Sequence, residues 1–482
     1  MPEGTWRAVA TPTTLRRSGA QQQRGLRQRT VADHPQLAAR VAAMPARVRR
    51  RLDPVPDPEQ ARLVGNLADA VSAAGGRALV VGGAVRDAVI AAETNRPLVG
   101  KDVDIEVFGL AAGQLETVLS RFGHPDLTGR QFAVFKLGDL DVSLPRTEVK
   151  DGAGHRGFTV VPDPSLPPER AAARRDFTCN AISFDPRSGE LVDPAGGVGD
   201  LRAGLLRHVS EAFDEDPLRV LRAAQFLSRF ELTVAPATAG RCRQLVGEAD
   251  TLPAERRYEE WRKLLSGRRP GAGVHFLDQV GWLAASPPLG QLRQAGQLAS
   301  TAAALDRHAA RRPDDVRQAQ VVALATLCHR LPPPGNWQRT AAGTGEQAAR
   351  FVSTLTNERG LASQVRRTVA HLPVAQRLAA ANAQVPDHVL LGLAERAGRL
   401  DRLVELAAAA GDEVTARWLA ATADRMGVLH GPADPLLRGQ DLLDAGLEPG
   451  PRIGQLLGEV ARARRTGRIR TRQQALQLAL AG

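Results

Sequence analysis

Apolar positions recur in two rhythms along this chain, and the change between them divides it. In PEQARLVGNLADAVSAAGG, starting at Pro58, they return every three or four residues, which predicts an amphipathic helix stopped by its glycines. RALVVGG is a short continuous apolar run and predicts a buried strand, with a helix over AVRDAVIAA directly after it. KDVDIEVFG, FAVFKLGDLDVSLPRTE and NAISFDPRSGELVDP set apolar residues between turn signals and predict strands or hairpins. From about residue 206 strand signals nearly vanish. Ala/Leu/Arg helical patterns take over, punctuated at LPPPGNW, HGPADP and EPGPRIG. The expected fold class is α+β: a small mixed α/β head on a long all-α remainder, with no fixed-period repeat.

Composition agrees and adds a partner class. A chain of 482 residues exceeds one ordinary core, so two to four domains are expected. Only 4% of residues are aromatic, which favours many Ala/Leu helices over an all-β sandwich. The formal charge is +12 and is carried by arginine, with lysine only at 101, 136, 150 and 263. Guanidinium groups suit bidentate phosphate contacts, so nucleic acid is a natural partner; an arginine-rich genome composition explains the same numbers equally well. Cys179, Cys242 and Cys328 form no zinc pattern or disulfide framework and point to a reducing compartment. No apolar run is long enough for a membrane span, and the basic first fifty residues lack a secretory core. They read as a disordered arm, with an organellar transit peptide as the alternative. A cytoplasmic protein without membrane or obligate protein partner is expected.

The chemistry concentrates in LVVGGAVRDAVIAAETNRPLVGKDVDIEVFG. Gly82 and Gly83 join a strand to a helix, where backbone N–H groups can approach an anion. Asp102 and Asp104 sit one residue apart on a strand, so they share a face about 6.6 Å apart. Both charged, they repel by roughly 2.5 kcal/mol at an effective dielectric near 20. Mg²⁺ held by carboxylates and substrate phosphates offsets that; a solvated acidic face on an edge strand is the alternative. Farther on, AARRDFTCNAISFDP presents Arg174, Arg175, Asp176 and Asn180. A helix starts near Pro217, with Asp216 at its start, where an N-cap is the plain explanation, followed by Arg219 and Arg222. Glu255, Arg256 and Glu260 share one more helix, where intrahelical ion pairs are the ordinary reading.

In order and spacing, GGAVRD…DVD…RRDFTCNAISFDP…LVDPAGGVGDL…EDPLRVLRAAQF…ERRYEEW resembles the class II tRNA nucleotidyltransferase and bacterial poly(A) polymerase family over about residues 76–270. After the basic arm read over 1–57, the resemblance implies a nucleotidyltransferase head (58–205), a helical neck that selects the nucleobase (206–270), a helical body (271–430) and an RNA-contacting tail (431–482). It implies that Gly82, Gly83, Arg86 and Asp87 hold the incoming triphosphate of CTP or ATP. Asp102 and Asp104 would bind two Mg²⁺ ions, and Arg175, Asp176 and Asn180 would contact sugar and phosphate. Asp216, Arg219 and Arg222 would bind the nucleotide, with Asp216 and Arg219 reading the base edge in place of a template. Asp141 is the candidate third catalytic acid, and Glu148 its rival.

The partner implied is the tRNA 3′ end, met also by Arg256 and by tail residues Arg464, Arg465 and Arg468. The full-length segment between the metal strand and RRDFT implies that A can be added. In the body, ALATLCHRLPPPGNW matches the place of a His-Asp metal motif, but Arg330 replaces its aspartate. His329 and His371 are therefore expected to be structural, without phosphatase or phosphodiesterase activity. Addition of CCA, or of its terminal A, is the leading expectation. A-only addition or poly(A) synthesis is the runner-up, and a catalytically silent RNA-binding protein of the same fold is the reading from another class.

Overall fold

A computed structural model describes residues 54–94, 103–128, 134–150, 158–333, 341–381 and 385–481. Most of the expected basic arm, and Asp102, lie outside the described residues. Within the expected arm, Val55 is buried and belongs to the head core, so that segment's end is part of the folded head.

Helix α1 (Pro58–Ala73) is started by Asp57, whose Oδ1 accepts the Glu59 and Gln60 N–H groups, and it buries Val64, Leu67, Ala68 and Val71. Then come β1 (Arg77–Val81), α2 (Gly83–Thr94), β2 (Val103–Phe108), α3 (Ala112–Leu119), β3 (Asp126–Thr128), β4 (Val134–Leu137) and β5 (Leu140–Ser143). Strands β6 (Arg146–Lys150) and β7 (Phe158–Pro162) form a separate hairpin. After α4 (Pro168–Ala172), strands β8 (Ser183–Asp185) and β9 (Glu190–Val192) rejoin the main sheet.

Among the described residues that sheet has seven strands in the order β3-β4-β5-β2-β1-β8-β9. Strand β2 runs parallel to β5 and antiparallel to β1. It is therefore interior, which removes the edge-strand explanation for its acids. Val103, Ile105 and Val107 point into the core, and period-two alternation sends Asp104 and Glu106 to the other face.

The helical remainder begins with α5 (Gly197–Arg202), β10 (Leu205–Leu206) and α6 (Leu218–Phe230). It contains one strand that the sequence pattern did not announce, β11 (Thr233–Val234), paired in parallel with β10. Helices α7 (Pro236–Gln244), α8 (Ala254–Leu265), α9 (Pro270–Gln279), α10 (Gly290–Gln294), α11 (Leu298–Ala310), α12 (Val316–Cys328), α13 (Ala341–Leu355) and α14 (Arg359–Ala380) follow. The chain closes with α15 (Asp387–Ala397), α16 (Leu400–Ala410), α17 (Glu413–Arg425), α18 (Gly439–Asp444), α19 (Pro451–Arg465) and α20 (Arg472–Leu480).

One apolar cluster runs from Phe177 through α6, α8 and α9 to Val428, so neck and body share a core. Close backbone approach makes this possible: a Cβ on Gly273 of α9 would sit 2.6 Å from the Ala224 carbonyl oxygen of α6. Trp261 of α8 meets Phe351 of α13 edge-on, with ring centroids 5.6 Å apart. The tail has its own small core around Leu442, Leu456, Val460 and Ala475. All three cysteines are free and buried.

Candidate active site

The site is built where β1 ends. Gly82 takes φ +74°, a left-handed conformation open to glycine, and turns the chain from β1 straight into α2. Val81, at the end of β1, is in register with Asp104 on β2, and Asp104 in turn with Asp141 on β5. The two acids thus stand side by side on adjoining parallel strands. A Cβ built on Gly82 would lie 3.4 Å from Asp104 Oδ2 and equally 3.4 Å from Arg175 Nη1. Glycine turn, carboxylate and guanidinium converge on one small space.

Asp104 is exposed and Asp141 half-buried, with Lys136 Nζ 3.5 Å from Asp141 Oδ1. Arg175 is oriented from behind by Glu106, whose Oε2 lies 3.3 Å from its Nη2. The donors are all carboxylate oxygens beside a cradle that a Cβ would fill, and that chemistry fits a hard divalent cation. Among the described residues no group of three metal-capable side chains converges, so a complete ligand set needs a further acid. Glu148 lies on β6, in the separate hairpin, whereas Asp141 lies beside Asp104 in the main sheet.

Other expected nucleotide contacts are tied into the joint between head and neck. Arg86 is buried: Nη1 donates to Asn180 Oδ1 at 2.7 Å and Nε to Asp87 Oδ1 at 2.8 Å. Its guanidinium carbon lies 5.0 Å and 4.6 Å from the ring centroids of Phe226 and Phe230 on α6. Asp176 is buried too, accepting from the Phe177 N–H and Asn180 Nδ2 on Oδ1 and from Arg222 Nε on Oδ2 at 2.7 Å. Burial pushes the Asp176 carboxyl up, but the Arg222 charge and the hydrogen bonds from Asn180, Arg222 and Phe177 outweigh it, leaving a net lowering below 3.8. Arg222 is raised in return, first by Asp176 and, against the cost of burial, also by Glu260. Phe177 packs on Phe213 and Phe226 at centroid distances of 5.7 Å and 5.2 Å. RRDFTCN, expected as a ligand surface, is therefore also a strap between head and neck.

The expected base-reading pair is held in place. Asp216 caps α6 through Oδ1, which accepts the Leu218 N–H at 3.0 Å, while Oδ2 accepts Arg256 Nη2 at 2.7 Å. The plain N-cap reading is thus realised, and Arg256 leaves its own helix to reach Asp216 rather than forming an intrahelical pair. Arg219 donates to the Ala212 and Arg174 carbonyl oxygens. Burial lowers its pKa against the raising effect of Asp176, Asp216 and Glu215.

Known proteins share parts of this assembly. Residues 78–207 match the family model of the poly(A) polymerase head domain. A multifunctional CCA protein from Xanthomonas campestris is 42% identical over 217 residues, covering 43% of this chain and 50% of the relative. Over its head the chain is similar to the poly(A) polymerase and CCA-adding enzyme family. It spans about half the length of the curated relatives it matches. Two solved structures share the fold along most of the chain. The Bacillus stearothermophilus CCA-adding enzyme in complex with CTP is 23% identical, with TM-score 0.61 over 88% of this chain and 97% of that one. The Thermotoga maritima CCA-adding enzyme complexed with tRNA is 19% identical, with TM-score 0.59 over 92% and 98%. Among the described residues no helix is long and apolar enough to cross a membrane.

Sequence reasoning missed Glu106 and the strap role of Arg86. Glu106 was within reach, because DVDIE continues the same period-two face by one step. The partners of Arg86 were not, since Asn180 and Phe226 are distant in sequence. In the tail, Arg464 Nη1 donates to the Asp434 carbonyl oxygen and Arg465 Nη1 to Glu395 Oε2. Arg468 is exposed, with no side-chain partner among the described residues. In the body, His329 Nδ1 lies 2.7 Å from the Thr326 carbonyl oxygen and His371 Nδ1 2.8 Å from that of Arg367. His329 borders the cavity beside Arg330, and His371 is not among the residues that line that cavity.

Proposed function

We propose that this chain adds CCA, or its terminal A, to the 3′ end of tRNA from CTP and ATP without a template. The observation that carries the reading is the meeting of Gly82, Asp104 Oδ2 and Arg175 Nη1 at a single point beside the Asp104–Asp141 register pair.

The residues divide the work as follows. Backbone N–H groups at Gly82 and Gly83 receive triphosphate oxygens, because a helix start has donors without acceptors and Gly82 has no Cβ in the way. Asp102 and Asp104, with Asp141 opposite, hold two Mg²⁺ ions. When bound, these supply charge neutralisation at the RNA 3′-oxygen and at the departing pyrophosphate. The 3′-oxygen forms a bond to the α-phosphorus as the bond to the bridging β-phosphate oxygen breaks, and pyrophosphate leaves. Arg175, steadied by Glu106, faces the phosphates. Phosphoryl transfer rests on such positioning and neutralisation more than on covalent help.

Asp216 accepts and Arg219 donates, a pattern that suits the amino groups and ring acceptors of C and A. Each is anchored on its inner side, so neither can swing to satisfy the carbonyl edge of U or G. A fixed polar site rejects a mismatch strongly. Arg256 and the exposed tail arginine Arg468 meet the RNA backbone.

The test uses tRNAs ending before CCA, after C, and after CC, each with CTP alone, with ATP alone and with both. Extension of all three to CCA with both nucleotides is the expected result. Extension of only the CC-ended tRNA makes this an A-only enzyme, extension of unrelated RNA a poly(A) polymerase, and binding without incorporation a silent RNA-binding protein.

A further inference from the structure

The acids of the candidate active site belong to a row of charges that crosses the sheet. Strands β2, β5 and β4 are neighbours, and their register sets Asp104 opposite Asp141 and Asp141 opposite Lys136. Residues directly opposite one another share a face, so the ammonium stands on the same side of the sheet as the two carboxylates. The alternate residues of these strands point the other way: Ile105, Val142, Phe135 and Leu137 are buried in the head core.

The row draws its acids apart. Asp104 Oδ2 lies on the side of Gly82 and Arg175, 3.4 Å from where a Gly82 Cβ would stand. Asp141 Oδ1 faces β4 instead, 3.5 Å from Lys136 Nζ. The type of side chain at 136 matters. Arginine supplies all but four of the 64 basic residues, yet this position carries lysine. A guanidinium fork grips a carboxylate through two parallel hydrogen bonds, whereas an ammonium is a hydrated point charge on a flexible stem. The Lys136 side chain is 54% exposed and that of Asp141 39%, and an ion pair at such exposure is weak. A divalent cation can break it.

We propose that Lys136 is a positioning residue of the metal site and competes with the divalent cation for Asp141. This rests on the reading of Asp104 and Asp141 as metal ligands. A bare ion must displace the ammonium from the carboxylate and then sit near its charge, so Lys136 weakens the binding of metal alone. A cation that arrives with a nucleotide brings phosphate oxygens as further ligands and overcomes the competition. Lys136 thereby ties loading of the site to the triphosphate.

The experiment titrates the full chain with Mn²⁺ in the absence of nucleotide, reading the free ion by electron paramagnetic resonance, and compares wild type with Lys136→Gln, Lys136→Arg and Asp104→Asn. Lys136→Gln is expected to bind Mn²⁺ about threefold or more tightly, because a positive charge beside the ion is gone and Asp141 is released. Lys136→Arg is expected to bind it about threefold or more weakly, because the fork holds Asp141 more firmly. The Mg²⁺ concentration that half-saturates nucleotide incorporation should move in the same two directions. An ordinary surface ion pair leaves Mn²⁺ affinity alone, so equal affinities in wild type and both Lys136 variants, or weaker binding by Lys136→Gln, would overturn the proposal. Lys136→Arg keeps the charge and stands as a separate test where Lys136→Gln fails to fold. Asp104→Asn is expected to lose the site. Binding lost in Asp104→Asn but indifferent to residue 136 removes only the role of Lys136. Binding that Asp104→Asn leaves intact, or no binding by wild type or Lys136→Gln at about 10 mM, removes the metal reading as well.

Discussion

The head and the body each build a polar pocket, and the two differ in the charged groups of their walls. In the head, Asp104 and Asp141 stand in register on adjoining strands, with Glu106 further along the same strand as Asp104. In the body, Arg330 and the Asp412 carboxylate line one cavity beside His329 and Gln376. The head sets carboxylates beside one another, whereas the body sets one guanidinium beside one carboxylate. The body motif resembles a metal site with Arg330 at the place of its aspartate, and that residue type withholds a carboxylate a divalent ion would need. A fold can keep a site's shape while residue type alone decides what fills it.

The sharpest break between the regions is in catalysis. Asp104→Ala is expected to reduce nucleotide incorporation by about 10³-fold or more while tRNA affinity, read by filter binding, is kept. Loss of binding together with activity would assign Asp104 a structural role.

A second contrast concerns stability. Asp176→Ala strands the Arg222 guanidinium in the head–neck joint, and chemical denaturation is expected to show a loss of about 3 kcal/mol. A change below about 0.5 kcal/mol would mean that the joint does not depend on this pair.

Acid should separate the two regions in order. His308 and His329 both have pKa values pushed down to about 4 by burial, from an ordinary 6.5. The unfolded chain then binds protons first, so their contribution is intact above 6.5 and lost as pH falls from 6.5 through about 4. For the fully buried His308 this reaches about 3 kcal/mol. Asp176 is lowered below 3.8, so its contribution is present above 3.8 and lost only as pH falls beneath that, through its folded value. Hydrogen exchange along a pH series should show body helices α11 and α12 loosening before the joint. His308→Gln should flatten the step between 6.5 and 4, and the opposite order of loosening would contradict the burial of these imidazoles.

The smallest effect belongs to the tail. Arg468→Ala is expected to weaken tRNA binding roughly twofold and to lower the salt slope by about one ion, read by titration at several salt concentrations. Arg465→Ala, already paired with Glu395, should do less.

Much of the head was legible before folding, because its signals are local. Glycines at the end of an apolar run, and acids one residue apart on a strand, announce a turn and a shared face by geometry that spans a few residues. The order of motifs then carried the family. Other features depended on distant segments meeting. Asp216 lies 40 positions from Arg256, and Asp176 lies 46 from Arg222, so nothing in the intervening pattern ties either pair. For the same reason Arg86 looked like a phosphate ligand, although it is locked between aromatic rings of α6 and the side chains of Asn180 and Asp87.

The sequence by itself determined the two rhythms, the switch from mixed head to helical body, the glycine cradle and the acids set beside it. Those follow from backbone periodicity and from the charge and shape of single residues. Only the tertiary structure decided that β2 is interior, that Asp141 stands beside Asp104, and that Arg256 reaches Asp216. These depend on strand order and helix packing, where partners far apart in the chain are chosen by the fit of whole surfaces.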